Sequence, residues 1–223
     1  MDFHKECINT AVIKNEEFLT LLNRYSDLIQ SIKDVNKVAI KCKNKKMEDY
    51  VSEEYRNSII EMGRGHEGFP EVLKGFNIDT GFESEDPEET ERIVRKYNSI
   101  NVDLENFIGC RNRALSSGYP PGGFISWHNN ANASGYNIIL TWSEKGDGAW
   151  EHVDPKTKER VVIPDVKGWQ CKYGYYGRYD DDDKVLYHCA YTNCLRMTIA
   201  FVFNRDETGK NMAQMLIEEI TSE

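Results

Sequence analysis

Three short segments carry the residues best suited to chemistry: Trp127-His128-Asn129-Asn130, Tyr187-His188 and Arg196-Met197-Thr198. Residues i and i+2 of a β-strand point to the same side of a sheet, so His128 and Asn130 can face one pocket. His188, from a later strand-like segment, would complete a set of three ligands on one face of a metal ion. His128, Asn130 and His188 are therefore the candidate catalytic and metal-binding residues.

The third segment offers a site for an acid. Arg196 follows His188 along the chain, and Thr198 shares its strand face if the strand continues. A guanidinium presents a planar fork that matches a carboxylate, and a neighbouring hydroxyl adds a second donor. The sequence therefore predicts an anion-binding pair close to the metal ligands. The alternative is that Arg196 makes a structural ion pair with an acidic residue of the chain.

Other histidines are weaker candidates. His152 lies in Trp150-Glu151-His152-Val153-Asp154, which contains a His-x-Asp sequence of its own. It ranks second because Asp154-Pro155 is typical of a turn, and because no glycine-rich entry strand precedes it. His4 and His66 lie in a helical region, and we expect both to be exposed to solvent.

The elements that must position these residues change in character near residue 107. Before it, apolar residues at helical spacing predict a helix over 15–33, and further helices are expected over 46–62 and from Pro87. After it, short segments rich in aromatic and β-branched residues alternate with turn residues, which is typical of a sandwich or barrel. We expect strands at 111–118, 123–130, 136–143, 149–153, 159–163, 169–177, 185–191 and 195–204.

The predicted fold class is therefore α+β, with a double-stranded β-helix (jelly-roll) core and N-terminal helices. Residues 1–106 form a helical region that packs on the core, 107–204 form the core, and 205–223 form a C-terminal helix.

From these motifs the chain resembles the Fe(II)/2-oxoglutarate-dependent oxygenases, whose pattern is His-x-Asp/Glu, a distal His and then Arg-x-Ser/Thr. It is similar in particular to short members common in phages and marine viruses, which have Trp-His-x-Asn, a Gly-Trp pair and His-Cys-x-Tyr. The matching residues here are Trp127 to Asn130, Gly168-Trp169, His188 to Tyr191 and Arg196 to Thr198, so the resemblance covers about residues 107–204.

The resemblance implies Fe(II) and 2-oxoglutarate as cofactors. His128, His188 and Asn130 would bind the iron, while Arg196 and Thr198 would bind the distal carboxylate of 2-oxoglutarate. Tyr119 and Asn137 are expected to contact the co-substrate, and Tyr136 and Trp142 to line the same pocket. For each of these four residues, core packing is the alternative.

Asn130 departs from the carboxylate of the family pattern, because a neutral amide adds no charge to balance the metal. Three interpretations follow: an active variant, an enzyme that recruits a carboxylate from elsewhere, or a jelly-roll binding protein that has lost its metal. A cupin-like metal protein without keto-acid binding is a further possibility. The leading hypothesis is an oxygenase that hydroxylates a protein side chain or a small metabolite.

The net charge and the cysteine content limit the kinds of partner and the compartment that we expect. The net charge is −9 with a pI near 5.2, so we expect no duplex nucleic acid as partner. The six cysteines form no CxxC pair, and no secretory signal or membrane span is visible, which favours free thiols and a cytoplasmic protein, in the host cytoplasm if the chain is viral.

Overall fold

The computed structural model describes residues 7–63, 66, 68–109 and 113–222. Two antiparallel sheets and several helices make up this part of the chain. His4 and Cys110 lie outside the described residues.

The strands are β1 (Ile8–Ala11), β2 (Leu73–Lys74), β3 (Phe76–Asn77), β4 (Arg113–Tyr119), β5 (Gly123–His128), β6 (Gly135–Ser143), β7 (Gly148–Val153), β8 (Arg160–Pro164), β9 (Gly168–Tyr176), β10 (His188–Thr192) and β11 (Arg196–Phe203). They are ordered β1-β9-β6-β11-β4-β3 in a six-stranded sheet and β2-β5-β10-β7-β8 in a five-stranded sheet, and all pairs are antiparallel.

The helices are α1 (Glu16–Gln30), α2 (Met47–Tyr50), α3 (Glu53–Met62), α4 (Pro87–Ile108) and α5 (Glu207–Thr221), with a short 3-10 helix at Val35–Lys37. Local signals set the ends of α4. Asp86 caps its N-terminus by accepting from the backbone of Glu88 and Glu89, Pro87 occupies the first turn, and Gly109 ends it in the left-handed conformation.

The six-stranded sheet is buried on both faces, and its two faces differ in chemistry. On β6, alternate residues Tyr136, Ile138, Leu140 and Trp142 pack against α1, α4 and α5 in the main hydrophobic core. The residues between them turn towards the other sheet, because successive strand side chains point to opposite faces. The helices therefore cover one face, and the space between the sheets belongs to the other.

The five-stranded sheet is covered on its outer face near β5. Helices α2 and α3 pack there, and the Trp127 indole nitrogen donates to the Val51 carbonyl at 3.1 Å. Trp127, Ile59, Val153, Tyr187 and Cys189 form a separate small core under these helices. The residue before His128 is thus fixed on the outer side of the sheet.

Each strand expected between residues 111 and 204 is present, within a few residues, as β4 to β11. The helix expected over 46–62 is divided into α2 and α3, because Ser52 caps the second helix by accepting from the Tyr55 backbone. The described N-terminal region also contributes β1, β2 and β3, which the sequence pattern did not indicate. Two of these strands have two residues each, too few to produce an alternating pattern.

None of the helices in the described part of the chain combines the length and the apolar character that crossing a membrane requires.

Helix α4 allows a matched test of the main core. Leu104 is fully buried and Val102, on the same helix, is 57% exposed. We expect Leu104→Ala to lower the free energy of unfolding by about 2–5 kcal/mol, because it leaves a cavity in the core. Val102→Ala should change it by no more than about 0.5 kcal/mol. Urea unfolding followed by circular dichroism measures both, and equal losses would contradict the helix orientation.

Candidate active site

A cavity of about 440 Å³ lies between the two sheets. Its lining includes His128 and His188 from the five-stranded sheet and Arg196 and Thr198 from the six-stranded sheet. The remaining lining is mainly apolar, so charges on these polar groups are screened less than they would be in bulk water. The other lining residues that bear on the site are Phe69, Pro70, Leu73, Leu115, Tyr119, Ile125, Asn130, Asn137, Ile139, Trp150, Tyr176, Ala200 and Val202.

His128 and His188 face each other across neighbouring strands. They are register partners on β5 and β10, and their ring centroids are 4.2 Å apart. Both side chains are buried, with exposed fractions of 5% and 7%. The two imidazoles are therefore close enough to bind one metal ion together.

An irregularity in the β5–β10 register makes this arrangement possible. Ala190 pairs with Ile125 while His188 pairs with His128, so two steps on β10 match three steps on β5. Such a bulge inserts one residue into a strand and changes which side the following side chains face. Ile125 and His128 consequently both line the cavity, although strict alternation would place them on opposite faces.

Both rings are held in the same way. The Nδ1 atom of His128 donates to the Ser126 carbonyl at 2.8 Å, and that of His188 donates to the Leu186 carbonyl at 3.1 Å. Since a carbonyl can only accept, each Nδ1 carries the proton and each Nε2 keeps a lone pair. This is the arrangement that orients and fixes the tautomer of metal-binding histidines.

Burial keeps both rings neutral. Desolvation lowers the pKa of His128 to about 4, and it lowers the pKa of His188 well below its ordinary value, with the nearby His128 as a second cause. A neutral imidazole is the form that binds a metal.

Asn130 lies beyond the end of β5, which stops at His128 rather than extending to 130 as expected. It still lines the cavity and is partly exposed. None of the described residues that line the cavity is Asp or Glu. Within the described part of the chain, no group of three His, Cys, Asp or Glu side chains is placed to hold a metal ion.

His152 is in register with His188 on the other side of β10. It is 2% exposed and packs on Trp150, with ring centroids 5.0 Å apart, but it does not line the cavity. Burial lowers its pKa to about 4. His152 thus belongs to the same row of the sheet as the two facing histidines without sharing their space.

The expectation that His66 is exposed is wrong, because its exposed fraction is 6%. Its charge is one of the influences that lower the pKa of His128, so it lies near the site. Nearby, Phe69 and Pro70 line the cavity, and Gly68 lies so close to the backbone of Ala131 that a Cβ would not fit there. Residues 68–70 therefore cover the corner at which His128 and Asn130 lie.

The opposite end of the cavity is cationic. Arg196 is 1% exposed, its Nε donates to Asp165 Oδ2 at 2.8 Å, and its Nη1 donates to the Thr198 hydroxyl at 2.6 Å. Its Nη2 and the Tyr119 hydroxyl are buried and have no hydrogen-bond partner among the described residues. Arg196 therefore makes an ion pair through one edge of its guanidinium, and Nη2 remains an unused donor among the described residues.

The remaining expected pocket residues divide by strand face. Tyr119 and Asn137 line the cavity, whereas Tyr136 and Trp142 lie on the opposite face of β6, in the main core. Sequence reasoning missed Tyr176, whose hydroxyl is buried without a partner and whose ring lies 5.2 Å from that of His188. It also missed Asp165 and Lys172. Their signal was weak, since a loop Asp and a strand Lys are ordinarily solvated.

No protein-family model and no curated protein matches this sequence. Among solved structures, a Pseudomonas putida prolyl-4-hydroxylase overlaps at 10% identity and TM-score 0.31, covering 81% of this chain and 98% of that one. The viral collagen prolyl hydroxylase of Paramecium Bursaria Chlorella virus-1, in a 2OG complex, overlaps at 14% identity and TM-score 0.27, covering 76% and 96%. OsALKBH1 overlaps at 13% identity and TM-score 0.29, covering 74% and 96%.

The histidine row gives a controlled test of metal binding. We expect His128→Ala and His188→Ala each to abolish Mn(II) binding, because each removes one of the two facing Nε2 donors. His152→Ala removes an equally buried histidine from the same row and should keep Mn(II) binding. Isothermal titration calorimetry measures affinity, and circular dichroism checks the fold. Loss of Mn(II) binding in His152→Ala alone would assign the metal to a different set of ligands that includes His152.

Asn130→Asp tests whether residue 130 is a ligand. A carboxylate there should tighten Mn(II) binding by about tenfold or more, corresponding to roughly 1.4 kcal/mol of added attraction. Asn132→Asp is the matched control, because it adds the same charge in the same loop at an exposed position outside the cavity lining. Equal effects of the two changes would indicate long-range charge, and no effect at 130 would place that residue outside the coordination sphere.

Proposed function

We propose that this chain is an Fe(II)/2-oxoglutarate-dependent oxygenase with a jelly-roll core at residues 107–204. In this proposal it hydroxylates a protein side chain or a small metabolite and converts 2-oxoglutarate to succinate. The observation that carries the proposal is one cavity with two histidine Nε2 donors on one wall and unpartnered Arg196 and Tyr119 donors at its far end.

The donor set fits Fe(II). Imidazole nitrogen suits this metal, and two histidines with open positions leave room for further ligands. His128 and His188 would hold the ion through Nε2, and Asn130 would offer an amide oxygen from the loop after β5. When bound, the metal together with the keto acid and oxygen supplies the oxidising chemistry, which the protein side chains cannot supply themselves.

The far end of the cavity suits a carboxylate. Arg196 Nη2 and the Tyr119 hydroxyl are buried donors without partners, and leaving such groups unpaired is costly. The hydroxyl of Thr198 accepts from Arg196, so its own hydrogen is directed elsewhere and can donate. An acid with a carboxylate at each end would use these donors at one end and the metal at the other.

Charge balance also favours a dianionic co-substrate. Because Asn130 is neutral, the two histidines and the asparagine leave both positive charges of Fe(II) uncompensated. A bound 2-oxoglutarate would place one carboxylate beside the metal and offset part of that charge, in a mainly apolar cavity where the attraction is stronger than in bulk solvent. The walls formed by Leu73, Leu115, Ile125 and Ile139 exclude water and orient the ligand.

The second candidate is a non-catalytic binding protein that keeps the cavity and lacks the iron chemistry. The absence of Asp and Glu among the described residues lining the cavity favours it. The unpartnered Arg196 and Tyr119 donors favour ligand binding in both cases. The two candidates therefore differ in whether succinate is formed, and not in whether a dicarboxylate binds.

A cytoplasmic location is part of the proposal. The described cysteines Cys7, Cys42, Cys171, Cys189 and Cys194 are free thiols, as is typical of a reducing compartment.

Succinate formation tests the function. Purified protein with Fe(II), ascorbate and 2-oxoglutarate is expected to produce succinate, measured by NMR, even without a primary substrate. His128→Ala should produce none. Binding of 2-oxoglutarate without succinate would favour the binding protein, and the absence of both metal and 2-oxoglutarate binding would contradict both candidates.

Arg196→Lys tests the co-substrate end. The ammonium can keep the pair with Asp165 but loses the second donor of the fork, so we expect 2-oxoglutarate binding to weaken by about 1–3 kcal/mol. Arg160→Lys is the control. Arg160 makes a comparable two-point pair with Glu151 away from the cavity lining, and its replacement should leave the affinity unchanged. Titration calorimetry gives both values, and equal affinities in the two variants would make Arg196 purely structural.

A further inference from the structure

Behind Arg196 lies a buried lysine that the proposed reaction does not use. Lys172, on β9, has a side chain that is 0% exposed. It pairs in register with Ile139, and Ile139 pairs with Ala200, which pairs with Leu115. Paired residues share a face of the sheet, and those three side chains line the cavity. Lys172 therefore lies on the cavity side of the sheet, next to the lining but outside it.

Asp165 connects this lysine to Arg196. Its Oδ1 lies 3.6 Å from Lys172 Nζ, and its Oδ2 accepts from Arg196 Nε at 2.8 Å. The remaining polar contacts of Lys172 are neutral: its Nζ donates to Gln170 Oε1 at 2.6 Å and lies 3.5 Å from Thr141 Oγ1. One buried carboxylate is thus shared by two buried cations.

The charges of this group do not cancel. With all three groups ionised, two positive charges and one negative charge leave an excess of one positive charge in a buried setting. An uncompensated buried charge is unfavourable, so such an arrangement favours either an anionic ligand or loss of a proton. Arg196 cannot lose its proton, which leaves Lys172 as the group that can.

We propose that Lys172 is a positioning residue which, through Asp165, sets the charge of the Arg196 end of the cavity and links binding of the dicarboxylate to uptake of a proton. This inference rests on the proposed binding of 2-oxoglutarate. Lys172 does not touch the ligand. When it is protonated, it shares Asp165 with Arg196, so the positive charge of Arg196 is only partly compensated and attracts the incoming carboxylate. When it is neutral, Asp165 and Arg196 compensate each other, and the attraction for an anion falls.

The electrostatic surroundings of Lys172 agree with this role. Burial lowers its pKa to about 8, opposed by Asp165 from the loop before β9 and reinforced by Arg196 from β11. Cys171 on its own strand has a smaller, opposing effect. The residues paired with Lys172 on the two neighbouring strands are uncharged: Thr10 on β1 and Ile139 on β6. A second carboxylate arriving at Arg196 would favour the charged lysine and so raise its pKa.

The sign of the pH effect follows. Well below the pKa of about 8, Lys172 is already charged, and binding takes up no proton at this residue. Between the pKa of the free protein and the higher pKa of the complex, binding takes up a proton. The affinity for the dicarboxylate should therefore fall as the pH rises through this interval.

The test is titration calorimetry of 2-oxoglutarate into the full-length Mn(II)-loaded protein, at one pH well below and one above the Lys172 pKa. Each titration is repeated in two buffers with different ionisation enthalpies, which measures the protons taken up. Lys172→Arg keeps the positive charge and cannot titrate. Lys172→Met removes the charge, and Lys96→Arg, at an exposed position on α4, is the control.

At the higher pH we expect binding to take up protons in the wild-type protein and in Lys96→Arg. The Lys172→Arg variant should lack this uptake, because its guanidinium does not titrate. The affinity of Lys172→Arg should stay constant where that of the wild type falls. Lys172→Met should bind at least about fivefold more weakly at the lower pH, the lower end of common coupling effects.

Equal proton uptake in the wild-type protein and Lys172→Arg would overturn the role of Lys172 while leaving the proposed function intact. If the wild-type protein binds no 2-oxoglutarate at either pH, both the proposed function and this inference fail. Should Lys172→Met not fold, the comparison with Lys172→Arg still decides, because it depends on titration and not on removal of the side chain.

Discussion

The register between β5 and β10 is the constraint on which the site depends. Because side chains alternate along a strand, a slip of one residue would move every side chain of a strand to the other face. The bulge between Ile125 and His128 makes such a change once, and locally. It directs the His128 side chain into the cavity, opposite His188, while Trp127 remains under α2 and α3. Packing on the outer face of the sheet thus holds the bulge that places the His128 side chain in the cavity on the inner face.

The division of the six-stranded sheet into two chemically different faces has a thermodynamic consequence. One face, covered by α1, α4 and α5, carries the main apolar core and so contributes most of the hydrophobic stabilisation. The other face carries Arg196, Lys172, Thr198 and Tyr119, buried polar groups that stabilise little and become costly when unpaired. The helices therefore stabilise a sheet whose inner face carries buried polar groups. Among the described residues, two of these groups, Arg196 Nη2 and the Tyr119 hydroxyl, have no hydrogen-bond partner.

The two ends of the cavity have the same electrostatic character. At one end, two neutral histidines and a neutral asparagine would leave a divalent cation uncompensated by the protein. At the other end, Lys172 and Arg196 share the single carboxylate of Asp165. In our proposal a dicarboxylate supplies one negative charge at each end, so the co-substrate would reduce the excess positive charge of the site in addition to taking part in the reaction. A carboxylate at position 130 would make the metal end less dependent on this ligand.

The amino-acid sequence by itself determined the strands and helices of the core and the identity of the facing groups. Alternation over 136–143 and helical spacing over 15–33 are local properties, so β6 and α1 could be predicted from them. The spacing of His128, His188 and Arg196 likewise indicated a shared pocket, and all three line one cavity. The fold class was predicted as far as a mixture of helices and two antiparallel sheets.

Tertiary structure alone decided the features that depend on pairing between distant segments. The bulge that turns His128 inward exists only relative to β10, and β2 and β3 are strands only because longer neighbours pair with them. Asp165 and Lys172 resemble ordinary surface residues until the sheets bring them behind Arg196. Likewise, nothing in the local sequence around His66 indicates that its side chain is buried. Alternation and spacing report which face a residue occupies within its own element, whereas burial, partners and charge depend on what the rest of the chain places beside it.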